Sequence, residues 1–258
     1  LDVPAWIESR DLETGEIQWK WYTTPPVGSA DAKTWPNEDA MHHGGGMTWQ
    51  PVTYDPQLRL VYVATGNPNP MYDFEVRKGD NLYSCSIVAL DVDTGKMRWY
   101  YQTAQNEAWD FDTNQVPVLI DTDLDGKPRK LVAQATRNGL YFLLDRETGK
   151  HILTTAPYEA VHWFTGIDAK GHATRDESKL VSRGGALIFP GNGGILNWVP
   201  PAYLPSTGLL YVNATQSAEI HYTYGKADER GVFGKQSQGV GGYDASLRAI
   251  DVRTGQAK

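Results

Sequence analysis

Short apolar runs broken by turn residues dominate the chain. Ser86-Ile87-Val88-Ala89-Leu90 and Lys96-Met97-Arg98-Trp99-Tyr100-Tyr101 flank the polar segment Asp91-Val92-Asp93-Thr94-Gly95. β-branched and aromatic runs on both sides of a Gly-ended turn predict a hairpin. Tyr54 to Val63, reversing at Asp55-Pro56, and Leu204 to Val212, reversing at Ser206-Thr207-Gly208, predict a second kind of hairpin. No window of a dozen residues places apolar side chains at a 3.6-residue period, so helix is a minor component.

The first kind of turn recurs. Asp, two residues and Thr-Gly appear at Asp11–Gly15, Asp91–Gly95, Asp145–Gly149 and Asp251–Gly255, with Trp19 and Trp99 following the first two copies. The Asp can accept turn N–H bonds, and the Gly supplies positive φ at the reversal. The last gap between copies is close to twice the one before it. Antiparallel sheets repeating at roughly 50 residues predict a β-propeller. A parallel β-helix needs shorter rungs, and a sandwich does not repeat its turn at this period. The last copy stops at Gln256-Ala257-Lys258, and Leu1 to Trp6 has neither a basic nor an apolar leader region. The expectation is one partial propeller domain over 1–258, cut at both ends.

Composition narrows the function classes. Lys and Arg number 24 against 31 Asp and Glu, a net charge of −7, which argues against a nucleic-acid partner and against a polybasic membrane surface. No apolar run approaches the ~18 residues of a transmembrane segment. The single Cys85 rules out an internal disulfide and a Cys-based zinc cluster.

Four segments can carry chemistry. Gly44-Gly45-Gly46-Met47-Thr48-Trp49 lets the backbone approach a flat ligand on which the indole stacks; a Trp packed inside a blade is the other reading. Asn67, between a strong strand and Pro68, sits at a strand end, as a hard-cation ligand or an ordinary turn Asn. In Glu107-Ala108-Trp109-Asp110-Phe111-Asp112, the two Asp alternate with aromatics. On a strand, residues two apart share a face, so both carboxylates would meet at one place. Such a pair repels unless something positive lies between, for which a metal ion is the economical explanation, and one member can serve as a general base. Two solvated Asp remain the alternative. Arg137 precedes the Asn138-Gly139 hairpin signal and can point into a site or into solvent, solvent being the default. Two segments are set aside. Asp121-Thr122-Asp123-Leu124-Asp125-Gly126 opens like an EF-hand loop, but Val132 stands where the loop needs Glu, so a polar hairpin tip is expected. Adjacent His42 and His43 would point to opposite sides of a strand.

Together these segments resemble the pyrroloquinoline-quinone (PQQ)-dependent alcohol dehydrogenases, the methanol/ethanol dehydrogenase-type quinoproteins. Ala89 to Trp99 is similar to the family's tryptophan-docking repeat. The resemblance implies an all-β fold, part of an eight-bladed β-propeller, and a chain covering less than half of a family member. It implies that Trp49 stacks under PQQ, that Asn67 is a metal ligand, and that Asp110 is the catalytic base and a ligand. It implies that Arg137 bonds the quinone oxygens and that Asn197 and Trp198 contact PQQ. Asp112 resembles the extra ligand of the lanthanide-type enzymes, which favours lanthanide(III) over Ca(II). A trivalent ion takes one more anionic ligand. The family's metal-ligand Glu and adjacent-cysteine disulfide lie N-terminal to this region. Asn106-Glu107-Ala108 departs from the family pattern ahead of the catalytic Trp-Asp, which leaves the substrate subclass open. The implied function is oxidation of a small primary alcohol to an aldehyde in the periplasm, with cytochrome c as electron acceptor and a homodimer among the possible assemblies. A non-catalytic PQQ-repeat scaffold for protein interaction, and a quinoprotein sugar or aldehyde dehydrogenase, are the competing readings.

Overall fold

The computed structural model describes residues 3–113, 115–224 and 234–258. Strands β1 (Trp6–Arg10) and β2 (Ile17–Tyr22) form a two-stranded sheet across the first Asp-x-x-Thr-Gly turn. β3 (Thr53–Asp55), β4 (Leu60–Ala64), β5 (Ser86–Asp91) and β6 (Met97–Gln102) form a four-stranded antiparallel meander. β7 (Val118–Leu124), β8 (Lys127–Ala135), β9 (Tyr141–Asp145) and β10 (His151–Thr155) form another. A small hairpin, β11 (Phe164–Ile167) with β12 (Ala173–Arg175), follows. The last sheet joins β13 (Ala186–Ile188), β14 (Ala202–Leu204), β15 (Leu209–Tyr224) and β16 (Gly234–Asp251). The single α-helix among the described residues, α1, spans Glu38–His42. No described helix is long and apolar enough to cross a membrane.

Both faces of the central sheets are covered, which explains their near-continuous apolar runs. Leu60 and Tyr62 of β4, with Ile87 and Ala89 of β5, face Val132, Phe142 and Leu144 of the next sheet. Val61, Val63, Val88 and Leu90, one residue out of phase, face Ile7, Trp19 and Trp21 of the preceding sheet. Leu131, Ala133, Tyr141 and Leu143 turn the other way, onto Leu210, Val212 and Ile250. The two-residue period of a strand thus builds alternate cores between successive sheets.

The repeated turn does what its residues dictate. Asp91 Oδ1 accepts N–H bonds from Asp93 (3.2 Å) and Thr94 (3.0 Å) and the Thr94 hydroxyl (2.9 Å). Asp11 does the same for Glu13 and Thr14. Gly95 and Gly149 close the turns at φ of 67° and 71°. Each turn also caps the sheet before it. Trp19 Nε1 donates to the Val92 carbonyl (2.9 Å), and the Trp19 ring lies flat against Gly95. Trp99 Nε1 donates to the Arg146 carbonyl (3.2 Å), with its ring against Gly149. At the third junction there is no Trp. Tyr141 takes its place, its hydroxyl donating to the Val252 carbonyl (2.8 Å), while Thr155 and the Tyr141 ring pack on Gly255.

Candidate active site

The candidate residues sit on loops at strand ends. Gly44 to Trp49 runs beside two other segments: Ala5 N–H bonds the Gly45 carbonyl (3.2 Å), and Gly46 N–H bonds the Asn67 carbonyl (2.9 Å). Trp49 is no packed blade residue, with 39% of its surface exposed. Its Nε1 donates to Asp112 Oδ2 (3.2 Å). With Met47, Asn67, Asn69, Met71 and the Val3–Trp6 segment, it lines a cleft of about 410 Å³.

Asn67 lies three residues beyond β4. Its backbone N–H donates to Asp112 Oδ1 (2.5 Å). The Asn67 Nδ2 is used on the Pro68 carbonyl (3.0 Å), which leaves the amide oxygen for another partner. The approach of Asp112 requires Gly66, because a Cβ there would stand 2.8 Å from Asp112 Oδ1.

The expectation of a strand through Asp110 and Asp112 is corrected. The segment is irregular, and Asp110 has φ of +69°, which breaks the two-residue alternation. The carboxylates converge nonetheless, by a left-handed turn instead of a pleat. The charge between them is Arg137, so its solvent default is also corrected. Arg137 is 7% exposed. Its Nη1 donates to Asp112 Oδ2 (2.6 Å) and its Nη2 to Asp110 Oδ2 (3.3 Å). Nη2 also donates to the Asn192 carbonyl. Its Nε, buried, has no partner among the described residues.

Burial pushes the Asp110 carboxyl up to about 7; Arg137 opposes that rise, and the neighbouring Asp112 and Glu107 charges add to it. Burial pulls on Arg137 in the other direction, yet the Asp112 and Asp110 charges hold its pKa above the ordinary value. Glu107, fully buried, is likewise pushed up to about 7, chiefly by burial. Three carboxyls within six residues are withdrawn from most solvent, Glu107 and Asp112 buried and Asp110 largely so.

Asn197 and Trp198 stand apart from this cluster. Asn197 donates to the Gly193 carbonyl (2.8 Å) and accepts the Trp198 N–H (2.8 Å), bonds internal to its own turn. Trp198 is 63% exposed. The start of that turn does reach the cluster, since Ile195 N–H bonds the Arg137 carbonyl (3.0 Å). His42 ends α1, and His43 follows it beside Asp39 (3.6 Å). The Asp121–Gly126 segment is the hairpin tip expected, with Asp125 and Gly126 both at positive φ.

The donors suit a hard cation in kind: two carboxylates and one amide oxygen, with no soft ligand. They are too few to complete a six- to eight-oxygen shell. No group of three or more His, Cys, Asp or Glu among the described residues could hold a metal ion unaided. Sequence reasoning missed Glu107, Arg77 and Asn192, which no turn signal or motif marks.

Residues 2–160 match the sequence model of the PQQ family described as glucose/ethanol/alcohol dehydrogenase, β-propeller domain, a span that contains Trp49, Asn67, Asp110, Asp112 and Arg137. The chain is 39% identical over 231 residues to the quinohemoprotein alcohol dehydrogenase of Comamonas testosteroni, covering 82% of this chain and 32% of that one. It is 32% identical to the quinoprotein ethanol dehydrogenase of Pseudomonas putida, covering 98% of this chain and 48% of that one. Among solved structures, the Comamonas testosteroni enzyme superposes with a TM-score of 0.86 at 32% identity, over 98% of this chain and 42% of the other. A europium-containing methanol dehydrogenase superposes with a TM-score of 0.89 at 29% identity, over 99% and 49%. The chain therefore spans between about a third and a half of the length of these relatives. With its repeated sheets, its docking turns and its matched residues, the chain belongs to the PQQ glucose/ethanol/alcohol dehydrogenase β-propeller family.

Proposed function

We propose that this chain forms the reactive part of a quinoprotein that oxidises a primary alcohol to an aldehyde. The observation that carries the reading is the convergence of Asp110, Asp112, Trp49 and the Asn67 backbone, directly or through one another, on Arg137 beside an open cleft. When bound, PQQ supplies the two-electron acceptor, and a metal ion beside it supplies a Lewis acid.

The chain's own groups do the rest. Asp110 is the general base: its partly exposed carboxylate, 3.3 Å from Arg137 Nη2, would take the alcohol proton. Arg137 presents a fixed positive charge to the quinone edge. Trp49 offers its exposed indole face for stacking. Asn197 and Trp198 follow in the turn whose Ile195 N–H bonds the Arg137 carbonyl, and would contact the cofactor from that side. Asn67, Asp110 and Asp112 are the metal ligands from this part of the chain. Asp112 favours a lanthanide(III) ion over Ca(II), because a trivalent ion gains most from a further carboxylate. One structural relative is named for europium. Electrons leave to a cytochrome c, an assignment supported by the quinohemoprotein relatives, and the enzyme works in the periplasm.

The test uses the full chain reconstituted with PQQ and either Ca²⁺ or La³⁺, following dye reduction with ethanol, alongside Asp112→Ala. La³⁺-dependent activity that collapses in Asp112→Ala supports the whole reading. Ca²⁺-dependent activity indifferent to Asp112 keeps the enzyme and removes the lanthanide assignment. No PQQ binding under either condition overturns the catalytic reading in favour of a propeller scaffold.

A further inference from the structure

Arg77 is fully buried, and its guanidinium meets neutral acceptors. Nε donates to the Pro70 carbonyl (2.9 Å), Nη1 to Asn81 Oδ1 (2.9 Å), and Nη2 to the Met71 carbonyl (2.9 Å) and the Glu107 carbonyl. A cation this deep is costly without a partner charge. Burial lowers its pKa to about 10 against the pull of Glu107. Such a residue is informative because of where its acceptors lie. Pro70 and Met71 belong to the loop that continues from Asn67. Glu107 opens the loop that leads to Asp110. One planar fork spans both.

Glu107 extends the connection. Its Oε1 accepts the N–H groups of Trp109 and Phe111, the latter at 2.9 Å. Oε2 is buried without a hydrogen-bond partner among the described residues. Two amides on either side of Asp110 thus point at one oxygen. The chain can satisfy that only by reversing at Asp110, which is where the backbone is left-handed. The Trp109 and Phe111 side chains then stay in the core, and the Asp110 carboxylate emerges toward Arg137. Asn106 braces the same corner. Its Nδ2 donates to the Arg77 carbonyl (3.1 Å), and Arg175 Nη1 reaches its Oδ1 (2.8 Å).

We propose that Arg77 and Glu107 are positioning residues of the oxidising site: Arg77 sets the Asn67 loop against the Asp110 loop, and Glu107 imposes the turn that aims the Asp110 carboxylate. The inference rests on the reading that Asn67 and Asp110 serve one metal-assisted site. It concerns how the chain holds them, before any cofactor binds.

Four variants of the full chain test it: Arg77→Lys, Glu107→Asp, Glu107→Gln and Glu107→Ala. Lys keeps the charge and loses the fork. Asp keeps the charge and withdraws the oxygen by one methylene. Gln keeps an acceptor at Oε1. Two readouts are taken beside circular dichroism: La³⁺ affinity of the PQQ-free chain by calorimetry, with Ca²⁺ in parallel, and kcat and KM for ethanol after reconstitution. Arg77→Lys and Glu107→Asp are expected to stay folded. Each should bind La³⁺ at least tenfold more weakly and lose at least tenfold in kcat, with ethanol KM within threefold. Glu107→Gln should remain within threefold of wild type in both readouts, whereas Glu107→Ala should not. Wild-type activity and La³⁺ binding preserved within twofold in Arg77→Lys and Glu107→Asp would refute the positioning roles and leave the site assignment standing. Loss of fold in both would also refute them, in favour of a general structural role. A wild-type chain that neither binds metal nor oxidises ethanol would remove the site reading itself, and the inference with it.

Discussion

A pair of glycine substitutions measures how much the sheet-to-sheet docking contributes. Gly149 and Gly126 have almost the same backbone, at φ of 71° and 72°. Their surroundings differ. A Cβ on Gly149 would stand 2.6 Å from the Trp99 ring, while a Cβ on Gly126 would meet nothing within 4 Å. Alanine at either position incurs the left-handed penalty, about 1–2 kcal/mol. At Gly149 it must also push the indole off its seat, an overpacking cost of about 1–3 kcal/mol. Trp99 cannot retreat freely, because it is 8% exposed and its Nε1 is tied to the Arg146 carbonyl. Gly149→Ala should therefore cost about 2–5 kcal/mol, and Gly126→Ala about 1–2 kcal/mol. Urea unfolding of the full chain, compared at constant m, gives both values. Gly95→Ala, whose Cβ would meet the Trp19 ring at 2.6 Å, repeats the experiment one sheet earlier. Equal losses for Gly149→Ala and Gly126→Ala would show that the ring contact carries no load and would refute the docking argument.

Further outcomes follow from the site. Asp110→Asn should reduce kcat by about 10²–10⁴ in steady-state dye reduction, the range for a lost general base, with a folded protein by circular dichroism. Trp49→Ala should weaken PQQ binding by roughly tenfold, as a lost stacking contact of about 1 kcal/mol or more implies, read by fluorescence titration. The Asp110 and Glu107 carboxyls, each raised to about 7, bind protons in the fold that the unfolded chain releases near pH 4. Their contribution to the stability of the metal-free chain is present below about pH 4 and is lost as pH climbs to about 7. The melting temperature should fall across that window, and less steeply in Asp110→Asn; a slope unchanged by that substitution would remove Asp110 from the account. Addition of La³⁺ at pH 7 should expel protons from the site, seen as a heat of binding that changes with the ionisation enthalpy of the buffer.

Much of the architecture was written in turn chemistry. Each Asp-x-x-Thr-Gly segment folds from contacts within five residues, so its hairpin could be read without knowing what it packs against. The Asn138-Gly139 and Asp125-Gly126 reversals were legible for the same reason. The site was legible only in outline. Asp110 and Asp112 converge on Arg137, but through a left-handed turn at Asp110 whose flanking N–H groups both bond Glu107, a buried residue three positions before it. Arg137 looked like a surface residue because nothing in Thr-Arg-Asn-Gly shows that Asp112 and Asn192 will surround it. Arg77 was silent altogether, since its acceptors are backbone carbonyls, which every residue carries alike. Trp49 and Trp99 are the same residue type with opposite fates. One is open at a cleft and one is sealed under a glycine, and only the tertiary neighbours decide which.

The docking contacts share a direction along the chain. Trp19 waits for Val92, Trp99 for Arg146, and Tyr141 for Val252. Every fastening is made by a residue that the ribosome adds later, so during translation no sheet is secured until its successor has emerged. The Trp49 and Asn67 loops are synthesised before their companions Asp112 and Arg137, which arrive some tens of residues afterwards. Until then the Trp19 and Trp99 indoles lack their docking partners and the side chains around Arg137 are not yet gathered. The Asp112–Arg137 cluster is closed from the C-terminal side, one sheet at a time.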